Sequence, residues 1–322
     1  MKQYKDQKHM RRTENLDDHQ DIKGYDFEKK FDLQKFLKSY NTTGFQATNL
    51  GIAIDIANEI ATKRPTTYLS FTGNAISSGL REIITYLVKN KHVDIIITSA
   101  SGVEEDVIKS LATFKVGNFQ IPGRILFENG IGRIGNIFVP NQRYLHFERF
   151  MQPIFETLHE KKIVTPTFIT NLIGSKLKED SYLYWAYKNN IPVYCPGIID
   201  GSLGDLTYFF NQKKPIQIDV VQDHKKLIDY TLNQDKTAAI MLGGGIPKHY
   251  SLNSNIFKEG FDYAIYLTTA SEHHGSDSGG NEEEAKTWAK LKLDSKHVKV
   301  VADFTITFPL IIAGSYMQKK FK

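Results

Sequence analysis

Short runs of β-branched and aliphatic residues alternate with amphipathic helical segments along most of this chain, and that alternation constrains the fold more than any other feature. Thr66–Phe71, Val93–Ser99, Val193–Cys195, Ile216–Val221, Ala238–Leu242, Tyr263–Thr268 and Val298–Ala302 read as strands, most ending at Gly, Ser, Thr, Asp or Pro. Helical periodicity marks Leu50–Thr62, Leu80–Lys89, Glu104–Phe114 and Lys225–Asn233 between them. Strands apolar on both faces, separated by helices, predict an α/β fold: a mostly parallel sheet with helices on both sides. Residues 1–22 are charged and aperiodic, so the expected organisation is a mobile basic arm followed by one domain over residues 23–322.

Charge and cysteine usage exclude several classes. The formal charge is +5, and much of the excess is terminal: Lys2, Lys5, Lys8, Arg11 and Arg12 at one end, Lys319, Lys320 and Lys322 at the other. The interior is therefore near neutral, which argues against a nucleic-acid-binding body. Cys195 is the only cysteine, so neither an internal disulfide nor a cysteine-based metal cluster can form. The apolar Pro192–Cys195 run suggests an inert core thiol. No apolar stretch approaches the ~18 residues of a membrane span, and a cytoplasmic protein is expected.

In an open α/β sheet, ligands bind beyond the carboxyl ends of the strands. Small residues crowd those ends: Gly73-Asn-Ala-Ile-Ser-Ser-Gly79, Ser99-Ala-Ser-Gly, Asp200-Gly-Ser-Leu-Gly-Asp205 and Gly243-Gly-Gly-Ile-Pro-Lys-His249. Glycines admit a ligand to the backbone, and N–H groups at helix starts can hold phosphate. Neither a GxGxxG fingerprint nor a Walker lysine motif occurs. Glu104, Glu105, Asp205, Asp277 and Glu284 fall near predicted strand ends, and carboxylates gathered in one cleft require a cation. That cation is either a metal or a polyamine; Glu272, His273, His274 and Asp277 are candidate metal ligands, but adjacent histidines cannot easily point at one ion, so no metal is expected. His249 is a candidate general base.

Residues 275–290 combine a glycine-hinged loop carrying Asp277, three consecutive acids, and Trp288-Ala-Lys290. Carboxylates suit a polycation, an indole suits an alkyl-ammonium chain, and a lysine amine can form a Schiff base. If the segment is one continuous helix, Ala285, Trp288 and Ala289 form an apolar stripe, with Lys290 on the polar side beside Glu283 and Lys286. That polar side is either a solvated face or a pocket wall closed by another subunit.

The order of these residues resembles the active-site segment of the deoxyhypusine synthase family. The likeness runs from about Lys23 to the C-terminus, through Gly24-Tyr-Asp-Phe, Thr42-Thr-Gly-Phe-Gln-Ala-Thr-Asn, Gly102-Val-Glu-Glu-Asp, Asn129-Gly-Ile-Gly-Arg-Ile-Gly-Asn, Asp200-Gly-Ser-Leu-Gly-Asp and Gly275-Ser-Asp-Ser-Gly. The resemblance implies a Rossmann-like sheet, NAD as cofactor, and a homotetramer with sites shared between paired subunits. It also implies transfer of the 4-aminobutyl group of spermidine, through an imine on an enzyme lysine, to a lysine of the translation initiation factor 5A precursor.

By that likeness, NAD lies against Gly73, Asn74, Ala75, Ile76 and Ser77 on the first loop, and Ser99, Ala100, Ser101 and Glu105 on the second. Asp200, Gly244, Thr269, Ala270, Asp303 and Phe304 complete the cofactor side. The amine lies against Glu104, Glu105, Asp205, His249, Gly275, Ser276, Asp277 and Glu284, with Trp288 along its butyl chain. Lys290 would be the nucleophile and His249 its base. Departures are His274 where the family has an acid, Ala289 where it has glycine, Phe304 where a small residue is common, and a swapped pair, Gly73 and Ser101. Two alternatives stand beside this reading: aminobutyl transfer to putrescine, as in homospermidine synthases, and a non-catalytic subunit that activates a paralogue.

Overall fold

A computed structural model describes residues 15–317. Most of the basic arm and the terminal lysines Lys319, Lys320 and Lys322 therefore lie outside the described residues, while residues 15–22 carry neither helix nor strand. Six strands form one sheet: β1 (Thr66–Phe71), β2 (Ile95–Thr98), β3 (Val193–Tyr194), β4 (Thr237–Leu242), β5 (Phe261–Thr268) and β6 (Leu291–Val301). Their spatial order is β6-β5-β4-β1-β2-β3, and every pairing is parallel. Read from the β3 edge, this is the 3-2-1-4-5-6 order of dinucleotide-binding sheets.

The unbroken apolar strands are explained by cover on both faces. Leu69, Phe71, Ile240, Leu242, Ile265 and Leu267 join one large core with helix Phe45–Lys63 and helix Phe304–Gly314. Tyr68, Ile95, Ile97, Met241 and Tyr266 face the other way. There the cover is thinner, with Leu227, Leu252 and Ala285 each coming from a different helix. No helix among the described residues is long and apolar enough to cross a membrane.

One expectation is corrected, and one element is new. Ile216–Val221 is not a strand of the main sheet: only Gln217–Ile218 is extended, paired with Ile163–Val164 in a separate ribbon. Asp219 then caps helix Val220–Leu232 by accepting the Gln222 N–H, so the two valines start a helix despite their β preference. A second small sheet, Lys115–Val116 with Ile131–Ile134 and Ile137–Pro140, was not anticipated. Gly135, at φ +59°, opens its two-residue turn, where a type II′ hairpin requires glycine.

Candidate active site

Because all six strands are parallel, their carboxyl ends open along one edge. The direction of strand order reverses between β1 and β4, which makes a crevice there. Both walls are built for close backbone approach. Gly243 (φ +84°) and Gly245 (φ +63°) adopt the left-handed region that favours glycine. A Cβ on Gly244 would stand 2.1 Å from Ser278 Oγ, which itself accepts the Gly245 N–H. On the opposite wall, a Cβ on Gly73 would stand 2.1 Å from Ser101 Oγ. The swapped pair is thus one steric unit, since a side chain at 101 fills the room that residue 73 leaves.

Helix Gly73–Ser77 is held from beneath by Lys109, whose ammonium donates to the carbonyls of Ile76, Ser77 and Ser78. The Asp303 side chain caps helix Phe304–Gly314 through the Thr305 N–H, and the Phe304 ring approaches within 3.4 Å of where a Gly243 Cβ would be. Helix starts, hydroxyls and glycines without room for a Cβ, gathered at the switch point, fit a dinucleotide phosphate.

The acids on helix Ala100–Leu111 lie deep. Glu104 and Glu105 are each only 7% exposed. Glu104 accepts the Leu203 N–H (2.9 Å) at the start of helix Ser202–Asn211. Gly201 makes that approach feasible, because its Cβ would stand 2.8 Å from the carboxylate oxygens. Burial holds Glu104 above its ordinary range, opposed by the Leu203 N–H and reinforced by the charges of Asp205 and Asp200. Glu105 accepts from Ser77 Oγ at 2.5 Å. Burial pushes it up to about 8, against that hydrogen bond and with help from the Glu104 charge. Asp200 and Asp205 are exposed nearby. Cys195 is buried, and burial pushes its thiol up, as an inert core residue requires.

The Lys290 segment departs from the continuous helix expected of it. Helix Glu282–Thr287 starts on Asn281, whose side chain accepts the Glu284 N–H, and it stops at Trp288. The Lys290 N–H bonds the Ala285 carbonyl and the Ala289 N–H bonds the Lys286 carbonyl, with Ala289 left-handed at φ +53°. That pair of bonds is a Schellman cap, in which the left-handed residue is usually glycine. Of the expected stripe, Ala285 is buried while Trp288 is 63% exposed. Lys290 therefore stands on no helical face. Its carbonyl accepts the Phe261 N–H at the amino end of β5, far along the strands from the crevice edge.

The Lys290 side chain reaches His249 on helix Gly245–Ser254, with Nζ and Nε2 3.4 Å apart. His249 Nδ1 in turn lies 3.2 Å from the Asn253 amide nitrogen. With the amide so placed, the neutral ring carries its proton on Nε2; turning the amide over would free Nε2 to accept one. Asp277, in the short turn Asp277–Gly279, is exposed, as are Gly275, Ser276 and Glu284.

A model of the deoxyhypusine synthase family matches residues 35–315. The chain belongs to the deoxyhypusine synthase family. It is 46% identical over 313 residues to a Methanocaldococcus jannaschii protein assigned as deoxyhypusine synthase, covering 90% of this chain and 95% of the relative. It is 42% identical over 334 residues to homospermidine synthase 2 of Senecio vernalis, covering 94% and 90% respectively. A crystal structure of an Entamoeba histolytica protein assigned as a deoxyhypusine synthase superposes with a TM-score of 0.65 at 30% identity, covering 92% of this chain and 97% of that one.

Within this deoxyhypusine synthase fold, the expected site residues fall into two groups. Glu104, Glu105, Asp200 and Asp205 cluster with the β1–β2 wall, whereas His249, Asp277, Glu284 and Lys290 cluster around helix Gly245–Ser254. Among the described residues, no hydrogen bond or ion pair joins the two groups. Sequence reasoning missed Asn253, Ser278, Lys109 and Lys248. Asn253 was within reach: it lies four residues after His249, on the same face of one helix. The other three act through backbone groups, which leave no pattern in side-chain identity.

Proposed function

We propose that the chain transfers the 4-aminobutyl group of spermidine to a lysine of the translation initiation factor 5A precursor, acting in the cytoplasm with NAD as cofactor. Bound NAD would supply the chemistry that side chains lack, taking a hydride from the amine and returning it at the end. Gly73–Ser77, Ser99–Ser101, Glu105, Asp200, Gly244, Thr269, Ala270, Asp303 and Phe304 are the residues we assign to holding it.

Lys290 adds its amine to the imine carbon of oxidised spermidine, a C–N bond forms, and 1,3-diaminopropane leaves with the proton it needs. The acceptor lysine then displaces Lys290, which regains its free amine. His249 exchanges protons with Lys290 across the 3.4 Å contact, the observation that carries this reading. Asp277 and Glu284 attract the ammonium groups, and Trp288 lies along the butyl chain. Since the two acidic groups are separate on one chain, we infer that a complete site forms between paired copies in a tetramer, each supplying one group. A paired copy would also exclude water from the exposed Trp288 and Lys290 surroundings.

Because a homospermidine synthase is 42% identical to this chain, the test offers both acceptors. The purified protein is incubated with NAD and spermidine labelled in its butyl moiety, with either the factor precursor or putrescine added. Label on the factor supports the proposal, and label on putrescine assigns the homospermidine reaction. Absence of NAD-dependent cleavage would indicate a non-catalytic subunit and refute it.

A further inference from the structure

Two lysines that form no ion pair with either group of acids hold the loop after β5 from both sides. Lys248, next to His249, is only 3% exposed, and its ammonium donates to the backbone carbonyls of Asp277 and, at 3.1 Å, Gly280. The same ammonium stands 5.6 Å from the centroid of the Tyr266 ring. Among the described residues Lys248 makes no ion pair; carbonyl dipoles and a ring face meet its ammonium directly, and the Asp277 and Glu284 carboxylates act on it at longer range. Lys299, on β6, is 6% exposed and donates to the Gly279 carbonyl at 2.7 Å, with Glu272 Oε2 at 3.2 Å.

The two anchors come from the units that flank β5, namely the helix after β4 and the strand β6. Between them the loop has no slack. A Cβ on Gly279 would stand 2.0 Å from the Ser271 carbonyl oxygen, and Ser278 Oγ is bonded to the Gly245 N–H. Removing an ammonium from water is costly unless its acceptors are fixed, so each buried lysine favours only those loop conformations that present these carbonyls.

We propose that Lys248 and Lys299 are positioning residues that fix the 272–280 loop, and through it Gly275, Ser276 and Asp277, for amine binding without touching the amine. The clause about amine binding rests on the function proposed above; the clamp itself does not. The shared chemistry is a buried ammonium aimed at main-chain oxygen, used here to hold a loop rather than a ligand.

Lys248→Met and Lys299→Met keep most of the side-chain volume and remove the donors. In each, hydrogen exchange at the Gly279 and Gly280 amides, which bond the Ser276 and Asp277 carbonyls, is expected to quicken about tenfold or more, the loss of a charged hydrogen bond. Exchange in β4 should not change. The KM for spermidine should rise about tenfold while NAD affinity stays within about twofold. Lys299→Arg, which keeps donors, should retain near-normal exchange. Unchanged exchange at Gly279 and Gly280 in a folded variant would overturn the clamp, and so would a parallel loss of NAD and spermidine affinity, which would mark a general structural role. Should Lys248→Met fail to fold, Lys299→Met reads the same loop from its other side. If the wild-type protein does not cleave spermidine with NAD, the functional reading fails while the exchange result still decides the clamp.

Discussion

Glu104 and Glu105 on one side, and Asp277 and Glu284 on the other, carry the same chemical group in opposite settings. The first pair is buried beside the β1–β2 wall, hydrogen-bonded to Leu203 N–H and Ser77 Oγ, and shifted toward the protonated form. The second pair is exposed, on a loop and a short helix that follow β5. Burial thus sets proton affinity on one side, and mobility of the backbone is limited by buried lysines on the other. A single chain therefore buries one acidic pair fully and leaves the other open to solvent.

The largest expected effect tests the open side. Lys290→Ala should lower aminobutyl transfer by about a thousandfold or more while leaving NAD affinity near normal, because the proposed mechanism forms its covalent bond on this amine. Full transfer by this variant in a steady-state assay would end the covalent reading.

The next effect tests the buried side. Glu105 has its folded pKa raised to about 8 from an ordinary 4.5, so the folded state binds the extra proton between those values. Stability of the unliganded protein should therefore fall as pH rises through this window, with the full loss, roughly 3–5 kcal/mol as an upper range, reached above about 8. Glu105→Gln should flatten that decline in thermal melts between pH 5 and 8. A melt profile with the same slope in the variant would show that Glu105 is not the group responsible.

A smaller effect addresses the crevice itself. Gly73→Ser should weaken NAD binding by about 1–3 kcal/mol, since its side chain meets Ser101 Oγ. Adding Ser101→Gly should restore most of the affinity, and additive losses in a calorimetric double-mutant cycle would disprove a shared space. Smallest of all, Ala289→Gly should stabilise the protein by about 1 kcal/mol by relieving a left-handed alanine, raising Tm by about 2 °C.

What could be read beforehand followed periodicity. β1 and β4 are short runs rich in aliphatic, aromatic and β-branched residues and were visible as such, and their glycine-rich exits marked the crevice. Two features resisted. Asp219 converts a valine pair into a helix start, an override of β preference by one hydrogen bond. The cap at Ala289 was equally hidden, because an alanine in the left-handed region gives no signal that a helix ends there, and the wheel placed Lys290 on a face that does not exist. The His249–Lys290 contact joins residues 41 positions apart and comes from tertiary packing alone.

The bond from the Phe261 N–H to the Lys290 carbonyl has a mechanical consequence. It fastens the pivot of the lysine to the first residue of an interior strand, while among the described residues the side-chain amine beyond it makes one hydrogen-bond-range contact, with an imidazole. An amine on such a tether keeps a high effective concentration over a small volume of space, because its range is set by four methylenes instead of by a moving loop. On the proposed mechanism, cargo carried on that amine turns between two neighbours while the sheet that anchors it stays still.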